Sequence, residues 1–148
     1  MLTGPTPLLD VFVPGKPIAR PSSRMWKRRK DLFEWSRTVA WTVRACMVGK
    51  PLVDEPVELW LEFWTQHQGD ISNFQKLIED ALTKVFYTDD RLVREVHAAI
   101  FSEPGVPEGV RIVAHAHDPR AALERWSIGR YLREHAGPLR AMREEVRP

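Results

Sequence analysis

Residues 70–90 read DISNFQKLIEDALTKVFYTDD. Apolar side chains recur in this stretch at intervals of one, three and four positions: Phe74, Leu77, Ile78, Ala81, Leu82 and Val85. This period predicts an amphipathic helix whose apolar stripe packs on a core. Asn73, Lys76 and Asp80 are spaced three and four apart, so they share the polar face of the same helix.

The start of this helix is marked by a second pattern. Ser72 followed by Gln75 has the spacing of a capping box, which predicts that the helix begins at Ser72 and leaves Asp70 just ahead of it. A carboxylate at that position is favoured by the helix dipole, so Asp70 also has a purely structural explanation.

The sequence on the two sides of residues 70–90 predicts three strands and one further helix. The runs 8–13 and 57–64 have strand character, and the second alternates strictly between apolar and polar or aromatic positions. Leu32, Trp35 and Val39 open a helical period that continues to Cys46. Residues 93–100 predict a third strand after the Asp89-Asp90 pair.

The C-terminal part predicts a hairpin and a helical tail. Pro and Gly residues between Glu103 and Gly109 are typical of a hairpin connection into a strand over 110–116. Pro119 then opens an Arg-rich helical segment that runs to about Arg147. We expect residues 1–118 to form the main domain and 119–148 to be its C-terminal extension.

Composition bounds the class of protein. The chain has 148 residues, 43% of them hydrophobic and 28% charged, which is typical of one globular domain. We find neither a membrane-spanning run nor a secretory signal and expect a cytoplasmic protein. The single cysteine, Cys46, excludes an intramolecular disulfide and a cysteine-based zinc cluster.

The formal net charge of +2 conceals an uneven distribution. The segment 16–30 carries seven bases and no acid, acids outnumber bases from 54 to 103, and the C-terminal part is basic again. Such a layout suits a protein that holds a polyanion at its periphery and a cation at its centre.

The adjacent carboxylates Asp89 and Asp90 repel each other and need solvent or a cation. Asp70 could meet them if the helix folds back beside the following strand, and three such carboxylates suit Mg2+, which prefers oxygen ligands and keeps several waters. A solvated Asp-Asp turn is the competing explanation, and the residues alone leave both open.

Several of these residues together resemble the signature of the RusA family of Holliday junction resolvases. The similarity rests on Asp70-Ile-Ser-Asn73, Lys76, Asp80-Ala-Leu82, Tyr87-Thr-Asp89-Asp90 and Val93. Pro14-Gly-Lys-Pro17 and Arg20-Pro-Ser-Ser-Arg-Met-Trp26 also resemble the opening of the family, and the similarity covers roughly residues 8–117.

The resemblance implies a small α+β fold with a mixed sheet, a homodimer, and an endonuclease that nicks two strands of a four-way DNA junction symmetrically. It implies Mg2+, with Mn2+ as a substitute, a bacterial or phage origin, and a phosphodiester hydrolysis in which Asp70, Lys76 and Asp90 are catalytic. The metal ligands would be Asp70, Asp89 and Asp90, with Ser72, Asn73 and Asp80 in supporting roles. For Lys76 an ion pair with Asp80 is the structural alternative.

This chain departs from the family pattern at Ser72, where members often carry a second aspartate. His67 is close enough in sequence to replace the missing ligand, although imidazole matches Mg2+ poorly. Two alternatives to the enzyme therefore stay open: a junction-binding protein of the same fold that no longer cuts, and an interaction domain whose charges are merely solvated.

DNA binding is expected from the basic loop, where cations can neutralise phosphates and a tryptophan can stack on a base. The residues are Lys16, Arg20, Arg24, Trp26, Lys27, Arg28 and Arg29. The spacing of four other tryptophans indicates packing or dimer contacts: Trp35, Trp41, Trp60 and Trp64. We expect His97, His115 and His117 to face solvent.

Overall fold

The computed structural model describes residues 6–20 and 30–135. The chain divides into two compact units, Met1–Ala116 and His117–Pro148. The first unit is α+β, with a four-stranded mixed sheet and two helices, and it contains every part of the candidate site described below.

The sheet consists of β1 (Leu9–Pro14), β2 (Val57–Trp64), β3 (Val93–Phe101) and β4 (Gly109–Ala116), in the spatial order β1-β4-β2-β3. β2 and β3 are parallel, whereas β4 runs antiparallel to both β1 and β2. All four strands were expected from the sequence, and their bounds agree to within one or two residues.

The predicted hairpin between β3 and β4 is wrong. The segment 102–108 connects β3, at one edge of the sheet, to β4, which inserts on the other side of β2. Pro and Gly specify where a chain turns but not which strand it pairs with next. Val110, Ile112 and Ala114 are fully buried, as suits an interior strand of the sheet.

Two helices cover one face of the sheet. α1 (Lys30–Cys46) buries Leu32, Trp35, Val39 and Val43, while α2 (Ile71–Leu82) buries the apolar stripe that the sequence predicts. Phe63 of β2 meets Phe74 of α2 with ring centroids 5.3 Å apart, which fixes α2 against the sheet. Burial of the apolar stripe therefore sets which side of α2 carries its polar residues to the surface.

The capping box predicted at Ser72 is not formed, because the N-cap residue of α2 is Asp70, two positions before Ser72. Asp70 is the N-cap residue, with φ −72° and ψ 130°, and its carbonyl accepts the N–H groups of Asn73 and Phe74. Ser72 is exposed within the first turn.

The second unit holds two short helices, α3 (Pro119–Arg125) and α4 (Ser127–Glu134). Asp118 caps α3 by accepting the N–H of Arg120. The segment expected to be helical from Pro119 consists here of two helices, because the extended backbone of Trp126 separates them. The part of that segment after residue 135 lies outside the described residues. Among the helices described here, none is long and apolar enough to cross a membrane.

The contact between α2 and the sheet gives a stability prediction. Ile78 is fully buried and Ile71 is 39% exposed on the same helix. We expect Ile78→Ala to lower the free energy of unfolding by about 2–5 kcal/mol, since it leaves a cavity. The matched change Ile71→Ala should cost at most about 0.5 kcal/mol. Urea denaturation of both variants measures this, and equal losses would contradict the described face of α2.

Candidate active site

The site is built around the ammonium group of Lys76, which points from the polar face of α2 towards two carboxylates. Its Nζ lies 3.0 Å from Asp90 Oδ2 and 3.2 Å from Asp80 Oδ1. Asp80 is one helical turn further along α2, whereas Asp90 lies in the 3-10 turn Asp90–Leu92 just before β3. Lys76 thus links α2 to the turn that leads into β3, the parallel partner of β2.

Both interpretations of Lys76 left open by the sequence are represented in this geometry. The ion pair with Asp80 at i, i+4 is formed, and the same ammonium also contacts an aspartate of the predicted site. All three side chains are between one third and one half exposed. The ammonium is therefore within reach of a ligand arriving from solvent.

Arg20 extends this group of charges on the other side. Its Nη1 lies 3.0 Å from Asp80 Oδ2, and its backbone N–H donates to the carbonyl of Asn73 at 3.1 Å. We call the four side chains Arg20, Asp80, Lys76 and Asp90 the ion-pair chain, because cation and anion alternate along it. Asp80 was expected in a supporting role at the site and Arg20 among the DNA-binding residues, so their direct contact was not expected.

Asp70 occupies the N-cap position of α2 without using its side chain as a cap. An aspartate there normally accepts a backbone N–H of the first turn. Here the carboxylate is exposed and makes no capping hydrogen bond, so its oxygens can bind a cation from solvent.

Asp89 and Asp90 are neighbours in sequence but have different partners. Asp89 Oδ1 accepts the backbone N–H of Arg91 at 2.8 Å, which caps the 3-10 turn. This bond lowers the pKa of Asp89 below its ordinary value, so the group is ionised at neutral pH. Asp89 therefore has a local structural role, and Asp90 is the member of the pair that contacts Lys76.

Charge pairing and burial shift the pKa values around α2. The hydrogen bond to Asp90 is the main reason that the pKa of Lys76 rises above 10.5; partial burial opposes it, and contact with Asp80 adds to it. Burial raises the pKa of Glu79, whose backbone carbonyl accepts the Tyr87 hydroxyl at 2.7 Å. Lys76 is thus a stable cation and a poor general base.

A different group of possible metal ligands lies on β2 and β3. Within the described ranges, one set of three ligand atoms lies mutually within 4.8 Å: those of Glu58, Glu95 and His97. Alternation along β2 places Glu58 on the face opposite Phe63, hence away from α2. The predicted set Asp70, Asp89 and Asp90 is not drawn together to this extent among those residues.

The histidines and tryptophans on the sheet depart from expectation. His97 does not simply face solvent: its Nε2 lies 2.8 Å from Glu95, and its ring stacks on Trp60 at 3.8 Å. His115 is half-buried, and its Nδ1 has no hydrogen-bond partner in the described structure. The alternation of side chains along β2 and β3 could have indicated the group of Glu58, Glu95 and His97, since Glu58 and Glu95 occupy paired positions.

The four tryptophans expected in packing roles divide between core and surface. Trp35 is buried, and Trp64 stacks on Phe101 with ring centroids 4.6 Å apart. Trp41, by contrast, is 57% exposed, and the guanidinium groups of Arg37 and Arg44 each lie 5.9 Å from its ring. Position 41 is two residues from Val39, which puts it on the opposite side of α1 from the buried stripe.

Most of the predicted DNA-binding loop falls outside the described residues, namely Arg24, Trp26, Lys27, Arg28 and Arg29. Lys16 is exposed, and Arg20 belongs to the ion-pair chain. His67, the candidate replacement ligand, is exposed, and its ring meets the edge of Phe74 at 6.5 Å. No described contact links it to Asp70.

Comparison with protein families identifies one match. The model of endodeoxyribonuclease RusA matches residues 14–112, more than half of the chain. The matched range includes β2, α2, β3 and the whole ion-pair chain. Comparison with curated proteins gives no match.

Pairing of Lys76 gives a pH-dependent prediction. Because its pKa is raised in the folded state, its contribution to stability is complete below 10.5 and declines as the pH rises through the folded-state value. We expect Lys76→Met to destabilise the protein near neutral pH, and the difference from wild type to narrow above 10.5. Denaturation at several pH values measures this. The exposed Lys50→Met is the control, and a gap that stays constant in alkali would contradict the pairing.

Proposed function

Since the chain belongs to the RusA endodeoxyribonuclease family, we propose that it hydrolyses phosphodiester bonds at four-way DNA junctions with a divalent cation as cofactor. The observation that carries this proposal is the family match over residues 14–112, which spans Asp70, Lys76, Asp89 and Asp90. Its geometric support is the contact of Lys76 with Asp90, which brings a cation and a carboxylate from separate elements to one exposed place.

The carboxylates of Asp70 and Asp90 offer oxygen donors, which suit a hard divalent cation. Asp70 offers a carboxylate that caps no helix N–H, and Asp90 offers one whose only described cationic partner is Lys76. Oxygen ligands of this kind suit Mg2+ or Mn2+, which need only one or two carboxylates besides water and phosphate. We therefore propose Asp70 and Asp90 as the main ligands. Asp89 is a weaker candidate, because one of its oxygens caps the turn.

When bound, the cation would lower the pKa of a coordinated water and neutralise charge on the scissile phosphate. The residues of the chain have separate tasks. Asp70, at the start of α2, and Asp90, just before β3, would hold the cation. Lys76 stays protonated and donates hydrogen bonds to the non-bridging oxygens of the phosphate, whose charge grows during an in-line displacement.

Binding of the junction is assigned to the basic segment 16–29 and to a second copy of the chain. A four-way junction presents two equivalent strands, and a two-fold symmetric dimer offers two equivalent sites. Seven bases without an acid between residues 16 and 30 supply a surface for phosphates. We propose a homodimer on these grounds, acting in the cytoplasm of a bacterial or phage-infected cell.

The two proposed ligands give the main functional prediction. We expect the wild-type protein to nick a synthetic four-way junction in Mg2+ and not in EDTA. Asp70→Asn and Asp90→Asn should each lower the single-turnover rate by about 100-fold or more, as loss of a group acting on the transition state does. Gel-shift affinity for the junction in EDTA should be retained.

Glu103→Gln is the matched control, since it removes one carboxylate from the exposed connection between β3 and β4. Its rate should equal that of wild type. A protein that binds branched DNA equally well with and without Mg2+ but never cuts it would instead be a junction-binding member of the family, an alternative that Ser72 favours. No preference for branched over linear duplex would contradict both functions.

Ser72 supplies a second prediction. Its side chain is exposed in the first turn of α2, two residues after Asp70. We expect Ser72→Asp to raise the cutting rate by about tenfold through an added oxygen ligand near the cation. Ser72→Asn, of the same size but uncharged, is the control. An unchanged or lower rate in Ser72→Asp would show that the site is complete with serine.

A further inference from the structure

We propose that Arg20 acts on the reaction as a positioning residue, through Asp80 and Lys76, rather than as a phosphate contact of the basic segment. The inference deepens the proposed function and rests on it, because it concerns how Lys76 is aimed. It also changes the assignment of Arg20, which its place among the basic residues of segment 16–30 had put with DNA binding.

Arg20 is attached to α2 at two points. Its backbone N–H donates to the carbonyl of Asn73 at 3.1 Å, and its guanidinium Nη1 donates to Asp80 Oδ2 at 3.0 Å. Asn73 and Asp80 are seven residues apart, which is about two turns of helix. The residue therefore lies along the polar face of α2, and its side chain is 29% exposed. A cation reserved for phosphate would be expected to point into solvent.

Asp80 gives each of its oxygens to a different cation. Oδ2 accepts from Arg20, and Oδ1 lies 3.2 Å from Lys76 Nζ. The guanidinium thus fixes the rotation of the carboxylate, and the carboxylate in turn fixes one side of the ammonium. A carboxylate without Arg20 could turn either oxygen towards Lys76, and the position of Nζ would be less well defined.

This arrangement matters because Lys76 has only one other described acceptor, the Asp90 carboxylate. If Asp90 is a metal ligand, the cation competes with Lys76 for it. The ammonium then keeps Asp80 as its protein partner and can direct its remaining N–H groups to the phosphate. The contact with Arg20 offsets part of the negative charge of Asp80. Asp80 therefore orients the Lys76 ammonium without fully offsetting its positive charge.

The ion-pair chain is expected to contribute little to the stability of the fold. Each of its ion pairs is partly exposed to solvent, and such pairs contribute little to the free energy of unfolding. A misplacement of about 1 Å at a reacting centre, in contrast, can lower a rate by about 100-fold. The larger effect of the ion-pair chain is therefore expected on the rate of cutting.

A double-mutant cycle tests the proposal on the single-turnover cutting rate in Mg2+. Arg20→Met and Asp80→Asn should each lower the rate by about 10- to 100-fold, as loss of an outer partner of a site does. The double variant should be no slower than the slower single variant, because the proposed action of the Arg20 guanidinium on Lys76 passes through Asp80. Arg20→Lys should recover part of the rate. Junction affinity in EDTA should change less than about twofold, as expected when no phosphate contact is lost.

Asp10 and Arg111 provide the matched control pair, since they form an Arg–Asp contact of 3.2 Å between β1 and β4, outside the ion-pair chain. Asp10→Asn and Arg111→Met should leave the cutting rate unchanged. Multiplicative losses in the Arg20/Asp80 cycle, an unaffected rate in Asp80→Asn, or a loss of junction affinity in Arg20→Met as large as its loss of rate would each overturn the proposal.

A second measurement keeps this test separate from the proposed function. The 15N-labelled ammonium of Lys76 should give an observable NH3+ resonance in the metal-free protein at low temperature, assigned by its absence in Lys76→Arg. Arg20→Met should broaden or remove it, and Asp10→Asn should not. If the wild type cuts no junction but these spectra behave as described, the proposed function fails and the positioning stands. If the resonance is unchanged in Arg20→Met, the positioning fails.

Discussion

The structure depends on the burial of one face of α2 against β2. Once Phe74, Ile78 and Leu82 enter the core, the orientation of the helix about its axis is fixed, and Lys76 and Asp80 must lie on its outer side. The same packing brings α2 beside the turn that precedes β3, where Asp90 is found. The positions of the partly exposed charges at the site are thus set by apolar contacts of other residues on the same helix.

Local periodicity predicted much of this correctly, because each element carries its own pattern. The strands, α1 and the stripe of α2 follow from spacing alone, as does the shared face of Lys76 and Asp80. Pairing of strands does not, since it is decided by contacts between distant residues. The misplaced hairpin before β4 has this cause: the Pro and Gly pattern is local, and tertiary packing selected another strand pairing.

The candidate site divides in the same way. Sequence spacing and family resemblance pointed to Asp70, Lys76 and Asp90, and the contact between Lys76 and Asp90 agrees with that grouping. Two features required coordinates: the contact of Arg20 with Asp80, which spans 60 residues, and the approach of Glu58, Glu95 and His97 on the opposite face. Charge counting had placed Arg20 with the other bases of its segment, because composition cannot distinguish a solvated cation from a paired one.

The place of β4 in the sheet has a consequence for the way the chain is made. β4 is the last of the described strands to leave the ribosome, yet it lies between β1 and β2 in the sheet. Its pairing with β1 joins residues about 100 positions apart in the sequence. Until it is synthesised, β1 has no partner, whereas β2, α2 and β3 are contiguous in sequence and can associate early. Closure of the sheet waits for the most non-local pairing, which is the slow kind of step in folding. The nascent chain would therefore assemble the surroundings of Lys76 first and join its N-terminal strand to them last.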